Sequence, residues 1–492
     1  MRLRRSPDRR GRPGQVGPVR SGVTAGLLVL ALSPLLAADD LHRPAMATTG
    51  SGMLPGSAGI GDDYFPEHGN GGYDVTHYAL ELRYDPDTDV LDGRARLHAR
   101  ALQNLSRFNL DFGAPRIDAM TVNGTSAQWV STGETEISVT PVGGLAVGTD
   151  FTVDVRYRGT PGGSRADRGF IRTADGAVVA GEPEGALDWF PSNSHPRDKA
   201  TYDFALTVPE GLTAIANGVP DGTTAAGGGW TTWRWRESRP MASYLATMAV
   251  GRFRVAHRTS DGLPVVTAVA EALPRDADAA MARTPEIVTY LASLFGPYPF
   301  DAMGGVVVDA PGMSFALETQ TRPVYGPSFF TRGDPDSQTL VVAHEVAHQW
   351  FGNSVSLQQW RDIWLNEGFA TYAQWLWADH IGVTTLQRSI DEVYDTPADG
   401  PVWQPPAGDP GRDNVFAGSV YYRGGLTLHA LRRTVGDEAF FRTLRTWAAE
   451  RRDRTGTTAE FIALAERVAG RSLTALFDAW LHGTAKPPWP QP

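Results

Sequence analysis

The chain has 492 residues, of which 41% are hydrophobic and 20% charged, and a formal charge of −10. That is too long for one core and ordinary for a globular protein of two or three domains. Its acidic balance argues against nucleic acid and anionic membranes as partners. The absence of cysteine rules out disulfide staples and thiolate metal sites.

Residues 1–47 carry eight Arg against three Asp, then the apolar run Gly22 to Ala38, then Ala45-Met46-Ala47. Basic, apolar and small residues in that order form a secretory signal peptide, so an extracellular product is expected. Its removal leaves the remainder at about −15. The apolar run holds Thr24, Ser33 and Pro34 and falls short of the roughly 20 residues a membrane span needs. No integral span is therefore expected in the mature chain; an uncleaved anchor is the alternative. Arg4-Arg5 lies far from the apolar run and lacks the hydrophobic follow-on of a twin-arginine signal, which favours the general secretory route. Residues 48–61 are Gly/Ser-rich and read as a flexible leader.

From Tyr73 the hydrophobic period is two. Tyr78, Leu80, Leu82 and Tyr84 alternate with polar or small residues, as do Ala95, Leu97, Ala99 and Ala101. Phe151, Val153, Val155 and Tyr157 repeat the pattern, and so do Tyr202, Phe204, Leu206 and Val208. Turn clusters such as Asp85-Pro86-Asp87 and Pro161-Gly162-Gly163-Ser164 separate these runs. The prediction is an antiparallel β-domain over 62–255. Asp85, Asp87 and Asp89 read as a hairpin turn, because the Gly and distal Glu of a calcium loop are missing.

Residues 256–487 read as a mainly helical domain with a small sheet, which makes the whole an α+β multidomain protein. A helix is expected over Asp276 to Phe295, with Pro285 either starting it or kinking it. Gly304 to Asp309 is a short buried strand and Gly312 to Gln320 an edge strand. After two further helices, a Pro/Gly/Asp-rich loop spans Asp395 to Asn414, and helices resume near Tyr421.

The chemistry concentrates at His344-Glu345-Val346-Ala347-His348 and, eighteen residues later, Glu367. On a helix the two histidines stand one turn apart on one face and can share a Zn²⁺ ion. Glu367, in Trp364-Leu365-Asn366-Glu367-Gly368-Phe369-Ala370, starts a second helix and supplies a third ligand. Two His and one Glu leave a fourth position for water, which is the composition of a catalytic zinc site. Val341, Val342, Ala343, Val346, Ala347 and Trp350 make the first helix apolar nearly all round, so its polar groups need a partner such as one zinc ion. Glu345 lies between the ligands without coordinating. The alternative is a pair of merely packed histidines.

With these residues in hand, the chain resembles the aminopeptidase N family of gluzincin metallopeptidases. The likeness rests on the motifs above, on Tyr421-x-Arg423-Gly424, on Trp189-Phe190-Pro191 to Lys199-Ala200, and on Tyr244-Leu245 to Gly251. It covers about 62–485. It implies a saddle-shaped β-domain followed by a thermolysin-like catalytic domain, without the helical-repeat C-terminal domain of larger members. It also implies a general base at Glu345 and an oxyanion donor at Tyr421, with Tyr422 a weaker claimant for that role. Glu318 and Glu182 are the implied anchors for the α-ammonium of a peptide with a free N-terminus. The family's Gly-x-Met-Glu-Asn strand falls on Phe315-Ala316-Leu317-Glu318-Thr319, where only the Glu is kept. The Gln of its Gln-x-Glu pair falls on Ala180.

Two points stay open at this level. Glu318 could instead be an ordinary ion-paired residue with Arg322 or Arg332 as partner. Asn366 and Thr371 are the candidates to orient the free N–H groups of the histidines. The reading that follows is a secreted, monomeric zinc aminopeptidase. Its competitors are a zinc hydrolase of an epoxide-like substrate, a silent peptide-binding module and an endopeptidase.

Overall fold

The computed structural model describes residues 52–113, 115–162 and 169–490. The expected signal peptide at 1–47, the first residues of the expected leader and part of the turn at 161–164 lie outside the described residues.

The alternating runs build an eight-stranded sheet. Tyr73–Asp85 pairs with Val90–Ala101 through the Asp85–Asp89 hairpin, and Val90–Ala101 pairs with Asp150–Gly159, both antiparallel. Asp89 closes that turn with a positive φ and accepts a hydrogen bond from the Tyr84 hydroxyl at 2.9 Å. One pairing departs from the antiparallel expectation. Lys199–Pro209 lies parallel to Tyr73–Asp85, with Tyr202 opposite Tyr78 and Phe204 opposite Leu80. The strand returns only after a long excursion, and no tight turn dictates its direction. Tyr78, Leu80, Leu82, Tyr84, Phe151, Val153, Tyr202, Phe204 and Leu206 are all at most 3% exposed, so the period-two residues form one buried face.

Two four-stranded sheets complete this β-rich half. A five-stranded sheet opens the other half, in the order Phe253–Ser260, Leu263–Ala270, Met303–Val307, Val324–Tyr325 and Ala316–Leu317. The expected edge strand at 312–320 is thus real but only two residues long, and Glu318 follows it directly. The expected helix from Asp276 to Phe295 divides into Asp276–Met281 and Thr284–Phe295, and Pro285 occupies the first turn of the second. Its fixed φ suits that place, where no backbone donor is needed. The helix of the histidines, Pro335–Ala347, starts the same way, with the Asp334 side chain accepting from Ser337 N. The helix of Glu367 is Trp364–His380, and that of Tyr421 is Gly418–Val435.

The leader is a correction. Its described part is pinned rather than flexible: Leu54 N donates to Asn104 O at 2.9 Å and Gly56 N to Arg107 O at 2.8 Å. Leu54–Pro55 pairs parallel to Leu105–Asp111. Backbone pairing, which composition does not report, overrides the Gly/Ser content.

Asp62 then joins the halves. It is 2% exposed, and its carboxylate accepts from Tyr64 N, Phe65 N, His195 Nε2 and Trp360 N at 2.8–3.1 Å. Nearby, Lys199 Nζ donates to the carbonyls of Asn353 and Ser354, just beyond the histidine helix. Burial pushes the Asp62 carboxyl up, but the hydrogen bonds from His195 and the three backbone N–H groups win and hold it below the usual carboxylate range. A carboxylate so depressed stabilises the fold at every pH above its unfolded value near 3.9, and that contribution fades only as pH falls toward the folded value. Asp62→Ala should therefore lower unfolding stability by about 3 kcal/mol or more at pH 7. Urea titrations should show the gap undiminished down to about pH 4 and narrowing below it; a gap that widens in acid would contradict this account.

Candidate active site

The histidine helix and the Glu367 helix cross so that three side chains converge. His344 Nε2 and His348 Nε2 stand 3.3 and 3.5 Å from Glu367 Oε2. Donors held tetrahedrally around zinc at bonds of 2.0–2.1 Å stand about 3.3–3.4 Å apart, so the separations fit that ion. His348 Nδ1 faces the Phe351 carbonyl at 3.1 Å. That acceptor fixes the proton on Nδ1 and leaves Nε2 for a metal. His344 has a hydrogen bond to the Gln374 side chain. Phe351 and Gln374 thus take the supporting places expected of Asn366 and Thr371. Gln374 lies seven residues after Glu367, two turns along the same helix face, which is the signal that could have found it.

The cleft is about 480 Å³ and also holds Glu345, Glu318, Glu182 and Tyr421. Glu345 and Glu318 lie within reach of His348, their ligand atoms all within 4.8 Å of one another. Glu182 is half-buried, and its Oε1 is buried without a hydrogen-bond partner. Burial and the carboxylates of Glu318, Glu367 and Glu345 push the Glu182 carboxyl well up. Burial pushes Glu345 up too, with Glu318 and Glu367 adding to it against the pull of His348. His348 shows the same field from the other side. Burial alone would lower it, but Glu318, Glu367 and Glu345 hold it up at about 10. Four carboxylates around two imidazoles want positive charge.

Glu318 is not the ion-paired surface residue considered from sequence. Arg322 is fully buried and donates to the carbonyls of Val266, Met303 and Gly218. The Glu318 carboxylate accepts from the Tyr244 hydroxyl at 3.3 Å, and its carbonyl accepts from Gln349 and Asn353 at 3.2 and 2.7 Å. Tyr244, Gln349 and Asn353 were missed as site residues. Tyr244 comes from the β-rich half, some seventy residues upstream, where no local pattern points at the cleft.

Tyr421 packs its ring 6.1 Å from that of His344, nearly parallel, whereas Tyr422 is 44% exposed and turned away. Burial first, and then Glu367, Glu182 and Glu318, push the Tyr421 hydroxyl well up, so it stays a donor at any working pH. Arg423 ties its helix to the carbonyls of Trp403, Ala479, Trp480 and Gly483. Two glycines set the distance between that helix and the Glu367 helix. A Cβ on Gly368 would lie 2.8 Å from the Gly424 backbone, and one on Gly424 would lie 2.9 Å from Gly368 Cα. The backbones touch beside Glu367 and one turn beyond Tyr421.

A β-rich half packed on a helical half that gathers two His and one Glu in an open cleft defines a zinc metallopeptidase of two domains. Residues 280–480 match the Peptidase family M1 domain, and residues 74–245 match the Peptidase M1 N-terminal domain. The M1 zinc metallopeptidase of Deinococcus radiodurans superposes with a TM-score of 0.80 at 31% identity, over 88% of this chain and 100% of that one. A mutant from the same organism, bound to a Tyr-Ser-Ala substrate, superposes at 0.79 with 31% identity over the same shares. Glutamyl aminopeptidase of Sus scrofa is 26% identical over 63% of this chain and 35% of its own length. Aminopeptidase M1 of Arabidopsis thaliana is 27% identical over 62% and 36%. The chain spans about a third of the length of these two curated relatives. The chain belongs to the M1 family of zinc metallopeptidases, and one zinc ion is the family's cofactor.

Gly424→Ala should push the two helices apart at a strain of about 1–3 kcal/mol. Zinc content per chain should stay near one while turnover falls at least tenfold. Unchanged turnover in a folded variant would mean that the glycine contact does not set the Tyr421 position.

Proposed function

We propose that this chain is a zinc aminopeptidase that releases the first residue of peptides bearing a free N-terminus. The division of labour is a β-domain over 62–255 and a catalytic domain over 256–487. The observation that carries the reading is the pair of carboxylates, Glu318 and Glu182, in the same cleft as His344, His348 and Glu367. An internal stretch of peptide offers two such carboxylates one neutral N–H per residue; an α-ammonium offers a charge and three donors. The glutamyl preference in the name of the curated relatives does not transfer, since no Arg or Lys lines this cleft among the described residues.

His344, His348 and Glu367 would hold the zinc ion, which would supply polarisation of the scissile carbonyl and a water close to ionising near neutral pH. Glu345 accepts the proton of that water and passes it to the leaving amine. Tyr421 donates its hydroxyl hydrogen to the oxyanion that develops on the former carbonyl. Glu318, steadied by Tyr244, accepts from the substrate ammonium together with Glu182, and so sets how far the chain enters.

We also infer secretion by the route that residues 1–47 encode, and action as a monomer, since one chain supplies the whole cleft. Among the described residues no helix is long and apolar enough to cross a membrane.

Glu345→Gln should keep its zinc and lose about 10²–10⁴ in kcat on leucyl-arylamide; full turnover by the metallated variant would remove Glu345 as the base. Wild type should cleave aminoacyl-arylamides and leave their N-acetyl forms nearly untouched. Glu318→Gln should reduce kcat/KM for the free-amine compounds by about 10²–10³ and spare the acetylated ones. Equal losses on both classes would show that Glu318 does not bind the amine.

A further inference from the structure

A second cavity of about 220 Å³ opens off the cleft. Glu182, Phe315, Ala316 and Tyr421 line both spaces, and Leu317 and Phe416 wall only the smaller one. A substrate whose ammonium meets Glu182 and Glu318, and whose first carbonyl lies near Tyr421, has its first Cα between those groups. Its side chain then points into the smaller cavity.

The walls are apolar and aromatic. Phe315 stands where the resembling family's strand has glycine, and Phe416 lies at the end of the Pro/Gly/Asp-rich loop, 36% exposed. Among the described residues neither Arg nor Lys lines either cavity, and the charged group at their junction is the carboxylate of Glu182. A carboxylate side chain placed there would lose water and find no cation. An aliphatic or aromatic side chain would bury its surface against two phenyl rings.

We infer that this cavity selects the first residue of the substrate: Phe315 and Phe416 admit large uncharged side chains, and the lack of any cation along its walls excludes Asp and Glu. The inference rests on the aminopeptidase reading and goes beyond it by naming the substrate class. Nothing in it depends on how zinc is held.

The test is a panel of Leu-, Phe-, Glu- and Asp-arylamides on one zinc-loaded preparation of the full chain. Leu and Phe should exceed Glu and Asp in kcat/KM by at least about a hundredfold. Turnover of none of the four, nor of Arg- or Ala-arylamide, would overturn the aminopeptidase reading and this inference with it, whereas turnover of Arg- or Ala-arylamide alone would overturn this inference and leave the peptidase standing. Turnover of the Glu compound within threefold of the Leu compound would overturn the cavity assignment alone and leave the peptidase standing. Phe416→Arg supplies the missing cation from a half-exposed position and should shrink the Leu/Glu ratio at least tenfold. An unchanged ratio in a folded Phe416→Arg protein would overturn the role of that wall.

Discussion

Four glutamate side chains share one cleft with two imidazoles, and that imbalance governs the rest of the molecule. Carboxylates at such depth either take up protons or gather cations. Glu367 sits at hydrogen-bond range of both histidines, and those histidines hold its carboxyl low against the lift of burial. Glu318, Glu345 and Glu182 have no such pairing and are all pushed up. In the proposed function, the divalent ion of the M1 family and the ammonium of a peptide are the two cations that answer this charge. The triad with 3.3–3.5 Å spacings suits the ion, and the carboxylates reached by Tyr244 and left open at Glu182 suit the amine.

Much of this was legible because it is periodic or local. The strands announce themselves by alternation, and the alternate residues are the buried ones. The two histidines and Glu345 are fixed by helical spacing, and the motif around Glu367 by its neighbours. What stayed hidden was long-range. Tyr244 reaches Glu318 across the join between the halves, and Gln349 and Asn353 bind its carbonyl from beyond the histidine helix. The support of the imidazoles falls to the Phe351 carbonyl and the Gln374 side chain and not to the candidates Asn366 and Thr371, since a backbone acceptor carries no residue-type signal and which side chain of the Glu367 helix meets His344 depends on how the two helices cross. The parallel pairing of Lys199–Pro209 is equally nonlocal, since alternation says which face a residue occupies but not which neighbour its strand takes. The pinned leader failed for a simpler reason: composition speaks of propensity, and partners decide.

The β-rich half is more than a platform. It contributes Glu182 to the cleft and Tyr244 to Glu318, while Asn217 holds the Leu245 and Gln320 carbonyls on either side. Asp62 and Lys199 fasten it to the segments that follow the histidine helix. The end of the cleft that would receive an amine is therefore built from both halves. A relative shift of the two would disturb peptide register before it disturbed the metal ligands, which all come from two helices of one half.

The contact between Gly368 and Gly424 separates two properties that are commonly measured as one. In the proposed mechanism, ion capture depends on side chains from the histidine and Glu367 helices, and charge stabilisation at the reacting carbon depends also on the helix of Tyr421, whose seat is defined by missing methyl groups. Loss of that seat would leave a fully metallated protein that turns over slowly. Elemental analysis alone would pass such a sample as sound, and only its kinetics would reveal the fault.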